Sequence, residues 1–187
     1  ARGRQALAAI HGETRNDKIS LYLADFNSLA DVLRMSGELL ADFPKIDVLC
    51  NNAGGSNASR VLTSEGFEAT FVTNHLSGFL LTTRLMPALL KAGETNRARI
   101  VFTSSLGHTN SAIDFDDLNL AQGYSTLKAY GRSKLMNLLT ARELQRRAGI
   151  ETNINQRIVG LGDDQLFSSP ILFMTGHGEV KWTDTEI

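Results

Sequence analysis

A tyrosine and a lysine four residues apart carry the clearest chemical signal in the sequence. The run Tyr130-Gly-Arg-Ser-Lys134 lies in a stretch whose leucines recur at helical spacing. Residues four apart share one face of a helix, so the phenol and the ammonium would be neighbours. A fixed cation beside a phenol favours its phenolate form. The spacing therefore indicates that Tyr130 is an acid or base working near neutral pH, with Lys134 tuning it.

The same spacing occurs a second time, at Tyr124 and Lys128. Tyr124 follows a polar segment directly, whereas Tyr130 lies in the strongly periodic helix, so we assign proton transfer to Tyr130. Tyr124 is predicted to be a loop or rim residue. His75 and His108 have no carboxylate or cysteine at ligand spacing, so we predict packing or loop roles for them and no metal site.

Short apolar runs alternate with helical patterns along the chain, which is typical of strand–helix units around a parallel sheet. Strands are predicted at residues 19–25, 46–50 and 99–103. Helices are predicted at 4–10, after a cap at Asn27 or Ser28, from Ser64 with a kink or restart at Pro87, and over 129–147. Cys50, inside the second predicted strand, is interpreted as a small buried apolar residue.

Polar and small residues follow each of the three predicted strands. Asp25 ends the first, the run Asn51-Asn52-Ala53-Gly54 ends the second, and Ser104-Ser105 ends the third. Ligands of an open parallel sheet bind outside the carboxyl ends of its strands. These groups therefore mark a candidate site, although polar turns at strand ends are also needed for purely structural reasons.

These motifs, with Asn74 in the intervening helix, resemble the short-chain dehydrogenase/reductase family. The runs Thr73-Asn-His-Leu76 and Asp116-Asp-Leu-Asn119 look like its retinol-dehydrogenase-like branch. The resemblance implies an α/β fold with a Rossmann-like, doubly wound parallel sheet. Residues 1–153 would form a partial dehydrogenase domain, and 154–187 a divergent tail.

The resemblance also implies an activity, the NAD(P)-dependent interconversion of an alcohol and a carbonyl. Tyr130 would exchange a proton with the substrate oxygen, and Lys134 would stabilise its phenolate and hold the nicotinamide ribose. Ser105, in preference to Ser104, would hydrogen-bond the substrate carbonyl. Asn74 would position a water, its own carbonyl being exposed by a local distortion of the helix.

The cofactor implied by the resemblance is NADP or NAD, and the sequence does not indicate which. Asp25 and Phe26 would flank the adenine, while Asn52 and Ala53 would line the adenosine side. The hydride itself would come from the cofactor.

The sequence departs from the family at both ends. The family begins with a strand and a glycine-rich turn that meets the cofactor pyrophosphate at a helix N-terminus, yet neither G-x-x-x-G-x-G nor G-x-G-x-x-G occurs here. We expect that one strand–helix–strand unit, whose strands would lie between the third and fourth strands of the family's sheet, is missing ahead of Ala1. Its absence would leave Leu21–Asp25 without a neighbour on its inner side, leave the backbone groups of Val48–Cys50 half unpaired, and weaken cofactor binding. Near the other end, Ile154-Asn-Gln-Arg-Ile-Val159 stands where a Pro-Gly turn is expected. An alternative therefore stays open: an inactive, truncated relative that is a binding module or a nonfunctional fragment.

Composition excludes several other classes of protein. The chain has 187 residues with 19 basic and 20 acidic side chains, so no charge excess favours nucleic acid. One cysteine excludes an intrachain disulfide framework, and no apolar run reaches the roughly 20 residues of a membrane helix. The expected partner is a small alcohol or carbonyl, with a homo-oligomer left open. The cytoplasm is the default location, and an anchor or targeting segment ahead of Ala1 stays open.

Overall fold

The computed structural model describes residues 2–95, 98–148 and 171–174. Five helices and three strands occur in these ranges, in the order α1 (Arg2–Thr14), α2 (Leu29–Asp42), β1 (Val48–Asn51), α3 (Ala69–Phe71), α4 (Ser77–Gly93), β2 (Arg99–Thr103), α5 (Thr126–Arg147) and β3 (Ile171–Met174). A π-helical turn, Val72–Leu76, joins α3 to α4, and a 3₁₀ turn, Leu106–His108, follows β2.

The three strands form one parallel sheet in the order β1-β2-β3. Val48 of β1 is in register with Arg99 of β2, and Ile100 of β2 with Ile171 of β3. Parallel strands need crossover connections, and here α3 and α4 supply the one between β1 and β2. The fold is α/β with a Rossmann-like parallel sheet, as predicted.

Helices α2, α4 and α5 all contribute to a single core on one face of this sheet. Alternate residues of β1 and β2 point into it, and the core consists of Val32, Met35, Leu49, Leu81, Leu85, Leu89, Ile100, Phe102 and Ala141. Full burial of one such side chain stabilises a fold by about 1.5–3 kcal/mol. This packing fixes the carboxyl ends of β1 and β2 relative to α5.

The prediction of a strand at residues 19–25 is wrong. Side chains do alternate between exposed and half-buried from Leu21 to Phe26, but no described strand pairs with this segment. Contacts with α2 hold it instead: Arg34 donates to the backbone oxygen of Leu23 at 2.6 Å, and the Tyr22 hydroxyl donates to Asp42 at 2.6 Å. The alternation of side chains thus correctly indicated an extended chain. An extended chain is a β-strand only where a neighbouring strand supplies hydrogen-bond partners for its backbone.

The prediction that Cys50 is buried is also wrong, because its side chain is exposed. Successive strand residues point to opposite faces, and Leu49 takes the core-facing position in β1. Val48 and Cys50 therefore point to the other face, where Val48 is 48% exposed.

The helix predicted to be capped by Ser64 begins at Ala69, four residues later than predicted. Its N-cap is Glu68, a fully buried residue whose carboxylate accepts hydrogen bonds from the backbone N–H groups of Thr70 and Phe71. Ser64 lies in the preceding turn. The helix also runs through Pro87 without interruption, and the break in α-helical geometry is the π-helical turn further upstream.

Serines cap α2 and α5; of the two candidates predicted for α2 the cap is Ser28, and no cap was predicted for α5. Ser28 caps α2 by accepting from the backbone N–H of Asp31, and Ser125 caps α5 by accepting from Lys128. None of the described helices is long and apolar enough to cross a membrane.

Candidate active site

The side chain of Lys134 is held in a buried position beside Tyr130. Its ammonium donates to the backbone oxygen of Thr103 at 3.0 Å and lies 5.5 Å from the centroid of the Tyr130 ring. Lys134 is 4% exposed, and burial lowers the pKa of its ammonium from the ordinary value. Tyr130 is half-buried. The end of β2 thus fixes a cation next to the phenol, as the four-residue spacing predicted.

Asn74 lies opposite Lys134, in the π-helical turn. Its side-chain oxygen accepts from the backbone N–H of Gly55 at 2.8 Å, and its amide nitrogen donates to the Gly55 oxygen and to the Ser133 hydroxyl at 2.9 Å each. A Cβ added to Gly54 would be 3.0 Å from the Asn74 oxygen and 3.5 Å from the Lys134 nitrogen. The loop after β1 therefore passes between these two side chains.

A distortion of the helix at Asn74 was predicted, and a π-helical turn occurs there. The Asn74 backbone oxygen was predicted to be exposed, but it is buried and accepts a hydrogen bond from the Asn137 amide at 3.0 Å. The side-chain oxygen of Asn137 contacts Nδ1 of His75 at 3.0 Å, and the His75 ring stacks against Phe71 and Phe79. Burial lowers the pKa of His75 from its ordinary value, so the packing role predicted for His75 is confirmed.

Ser104 and Ser105 point into different surroundings at the end of β2. The Ser104 hydroxyl donates to the backbone oxygen of Lys134 at 3.2 Å, which binds it to α5. Ser105 caps the 3₁₀ turn, its oxygen accepting from the backbone N–H of Gly107 at 3.2 Å. A Cβ on Gly107 would lie 3.7 Å from both the Ser105 oxygen and the Tyr130 ring. Ser105 is thus the serine on the Tyr130 side.

A cleft at the ends of β1 and β2 brings together four of the residues predicted to contact cofactor or water: Phe26, Asn52, Ala53 and Asn74. Thr103 donates from its hydroxyl to the Asn52 side-chain oxygen at 2.8 Å, which orients that amide. Asp25 does not line the cleft; it is exposed beside Phe26, and its carboxylate accepts from the backbone N–H of Asn27. Tyr130 and Lys134, also predicted to contact the cofactor, do not line this cleft either.

The second tyrosine lies away from this cluster. The Tyr124 hydroxyl donates to the backbone oxygen of Asn57 at 2.9 Å, and Thr126 donates to the same oxygen at 2.9 Å. His108 contacts the backbone oxygen of Ser105 through Nδ1, which is a loop role. Within the described ranges, no group of three or more histidine, cysteine or acidic residues is placed to hold a metal ion.

Sequence reasoning missed two members of the cluster, Ser133 and Asn137. The Ser133 hydroxyl donates to the backbone oxygen of Tyr130 at 2.7 Å and accepts from Asn74, while Asn137 holds the π-helical turn. Both follow Tyr130 at helical intervals, three and seven residues on, so the face of α5 that carries the tyrosine could have revealed them.

The site therefore combines a phenol, a buried ammonium and a serine hydroxyl at the open end of a parallel sheet, beside a cleft that ends at Asn74. The family model for short chain dehydrogenases matches residues 1–154. The chain belongs to the short-chain dehydrogenase/reductase family, in its retinol-dehydrogenase-like branch. Members of this family are oxidoreductases with an NAD(P)-binding Rossmann fold.

Two relatives show the branch. Human retinol dehydrogenase 13 is 37% identical over 148 residues, which are 77% of this chain and 44% of that protein. Mouse retinol dehydrogenase 14 is 43% identical over 132 residues, which are 70% of this chain and 39% of that protein. The chain thus spans less than half the length of these relatives.

Solved structures give the same fold. A crystal structure of a protein from Mycobacterium paratuberculosis matches with a TM-score of 0.68 and 31% identity, covering 98% of this chain and 58% of that one. The Pseudomonas aeruginosa RhlG/NADP complex matches with a TM-score of 0.59 and 25% identity, covering 80% of this chain and 56% of RhlG.

Proposed function

We propose that this chain carries the proton-transfer site of an NAD(P)-dependent oxidoreductase that interconverts an alcohol and a carbonyl. The observation that carries the proposal is the buried Lys134 ammonium, 5.5 Å from the Tyr130 ring centroid and bonded to the Thr103 oxygen. Tyr130 gives its proton to the carbonyl oxygen during reduction and takes it back during oxidation.

Lys134 supports this transfer in two ways. Its positive charge stabilises the phenolate that remains after Tyr130 gives up its proton. An ammonium has three N–H donors, and the bond to the Thr103 oxygen fixes one of them. The others are then directed to a ribose hydroxyl of the cofactor and to the proton path.

Ser105 and Asn74 complete the proposed site. The Ser105 hydroxyl, on the Tyr130 side of the 3₁₀ turn, donates to the substrate oxygen and orients it. Asn74 is 4% exposed and hydrogen-bonded to Gly55 and Ser133, so it lies between the cleft and α5. We propose that Asn74 positions a water in the proton path.

The residues that line the cleft suit the nucleotide end of a dinucleotide in their chemistry. Phe26 offers a ring for the adenine, and Asn52 and Ala53 offer an amide and a small side chain to the adenosine, with Asp25 at the margin. A Cβ at position 54 would be only 3.0 Å from the Asn74 side-chain oxygen, and we propose that the missing side chain leaves room for the ribose. The nicotinamide, when bound, supplies or accepts the hydride.

Replacing one tyrosine at a time tests the proposal. Oxidation of NADPH by all-trans-retinal, chosen because relatives are named retinol dehydrogenases, is followed for the wild-type chain, Tyr130→Phe and Tyr124→Phe. Loss of the Tyr130 proton donor is expected to lower turnover by about a hundredfold or more. Tyr124→Phe, which loses only the bond to Asn57, is the matched control and stays within about threefold of wild type.

The two interpretations of the sequence give different results in this assay. Turnover that survives Tyr130→Phe contradicts the assignment of Tyr130. No turnover by the wild-type chain with NADPH or NADH favours the alternative, an inactive, truncated relative that is a binding module or a nonfunctional fragment.

A further inference from the structure

Gly131, the residue after Tyr130, lies where the 3₁₀ turn crosses α5. It is buried, and a Cβ added to it would come within 2.5 Å of the backbone oxygen of Gly107 and 2.2 Å of the Ser111 hydroxyl. Real Cβ atoms do not approach other atoms so closely, and a backbone oxygen cannot turn aside as a side chain can. The turn can cross α5 at this distance only because residue 131 has no side chain.

This crossing joins the two hydroxyls of the proposed site. Tyr130 precedes Gly131 directly, and Ser105 precedes Gly107 by two residues. A Cβ added to Gly107 would be 3.7 Å from each of three atoms: the Cα of Gly131, the Ser105 hydroxyl oxygen and a carbon of the Tyr130 ring. Gly131, Ser105 and Tyr130 therefore pack together around Gly107.

Hydrogen bonds lock the turn in this position. Ser111 donates from its hydroxyl to the Gly107 oxygen at 2.8 Å, the same oxygen that lies against Gly131. Within the turn, the backbone N–H groups of His108 and Thr109 donate to the oxygens of Ser105 and Leu106 at 3.1 Å each. The turn is thus a rigid unit, and displacing Gly107 would move Ser105 with it.

We infer that Gly131 is a positioning residue: the lack of a side chain there sets the separation between Ser105 and Tyr130. The inference rests on the proposed function and adds a residue that acts through Ser105 and Tyr130. A methyl group at position 131 would overlap with the Gly107 oxygen and displace the turn by roughly the extent of that overlap. Misplacement of a group by about 1 Å in an active site costs about a hundredfold in rate.

The test compares Gly131→Ala with Gly37→Ala, a helical glycine of α2 whose added Cβ meets nothing within 4 Å. In Gly131→Ala, amide hydrogen exchange at residues 107–111 is expected to rise about tenfold. The kcat for NADPH and all-trans-retinal is expected to fall about 10- to 100-fold while KM for NADPH stays unchanged. Gly37→Ala is expected to change neither. Wild-type exchange and wild-type kcat in Gly131→Ala would overturn the inference.

A second variant covers the case in which Gly131→Ala does not fold. Ser111→Ala removes the hydroxyl that holds the Gly107 oxygen and adds no clash, so exchange in the turn should rise about threefold, with a fall of several-fold in kcat at constant KM. No change in either quantity would overturn the inference.

The exchange measurement separates this inference from the proposed function. If the wild-type chain shows no turnover, the proposed function fails, and the catalytic consequence of Gly131 fails with it. Faster exchange at 107–111 in Gly131→Ala would still support its control of the turn, and unchanged exchange would overturn that control too.

Discussion

Asn74 and Asn137 form a buried pair whose polar atoms are satisfied within the fold. The side chain of Asn74 uses both its oxygen and its nitrogen on the loop after β1 and on Ser133, and Asn137 donates to its backbone oxygen. Buried polar groups are stable only when they are hydrogen-bonded in this way. The pair fixes the π-helical turn against α5, so a network of polar residues positions the site.

Replacing Asn137 tests how much this network contributes. Asn137→Ala leaves the Asn74 backbone oxygen and Nδ1 of His75 without this partner, so the free energy of unfolding should fall by about 1–3 kcal/mol. Urea denaturation measures it, with Asn110→Ala, an exposed loop position, as a control expected to stay within about 0.5 kcal/mol of wild type. Equal stability of Asn137→Ala and wild type would show that the network is not needed.

Single residues were predictable where spacing alone fixes a neighbour. Tyr130 and Lys134 had to be adjacent once α5 was recognised as a helix, and the structure places them so. The prediction that Cys50 is buried was wrong because the burial of a strand residue depends on which face of the sheet the helices cover. In β1 it is Leu49 that lies on the covered face. The sequence of one strand does not contain that information.

Helix α5, which carries most of the proposed site, is stabilised at its C-terminal end by charge. Glu143 makes ion pairs with Arg146 and Arg147 at 2.7 Å each, three and four residues away. Cations in the last turn also suit the helix dipole. Hydrogen bonds from Arg146 and then Arg147 lower the pKa of Glu143 to about 2.

The lowered pKa of Glu143 predicts a pH dependence of stability. Because the folded-state pKa lies below the unfolded value of about 4.3, Glu143 stabilises the fold above pH 4.3 and loses this contribution as the pH falls towards 2. Melting temperatures measured from pH 5 to pH 2.5 should therefore fall less steeply in Glu143→Gln than in wild type. The residue is exposed, so the difference should shrink in 1 M salt, where the Debye length is about 3 Å.

Glu13→Gln, in α1, is the control for that experiment because it removes the same charge from a helix outside the core. Its melting temperature should follow the wild-type pH profile. Parallel profiles for wild type and Glu143→Gln would contradict the role given to the ion pairs.

Helices were easier to predict than their first residues. Ser28 and Ser125 cap α2 and α5 as small hydroxyl residues commonly do. The helix before Asn74 was misplaced because its cap is Glu68, whose carboxylate is fully buried. A buried acidic cap depends on tertiary packing, so a local pattern pointed to Ser64 instead.

At the scale of the whole molecule, β1 is an edge strand of the described sheet and the 19–25 segment has no described ladder partner. Leu23 is 54% exposed and Val48 is 48% exposed. The resemblance to the family, taken with the absence of a glycine-rich motif in the sequence, predicted unpaired backbone groups along β1, but it also predicted a strand at 19–25, which is wrong. The period-two pattern could not reveal this, since hydrogen-bonded neighbours are a property of the assembled sheet.

The sheet nevertheless brings the ends of β1 and β2 together, so that Gly54 and Asn74 lie beside Lys134. Phe26 lines the cleft with Asn74, although the two are far apart in the chain. That convergence was foreseen from the rule for ligand sites in parallel sheets, while the π-helical turn and the crossing at Gly131 became visible only in three dimensions.

The most direct test of the central claim follows hydrogen from cofactor to product. The chain is incubated with all-trans-retinal and a large excess of NADPH deuterated at C4, with both C4 stereoisomers used in parallel, and the alcohol is analysed by mass spectrometry. Wild type is expected to give alcohol carrying one deuterium with one of the two isomers, and Lys134→Met at a rate about tenfold or more lower. Unlabelled alcohol from both isomers, or equal rates in wild type and Lys134→Met, would contradict the account.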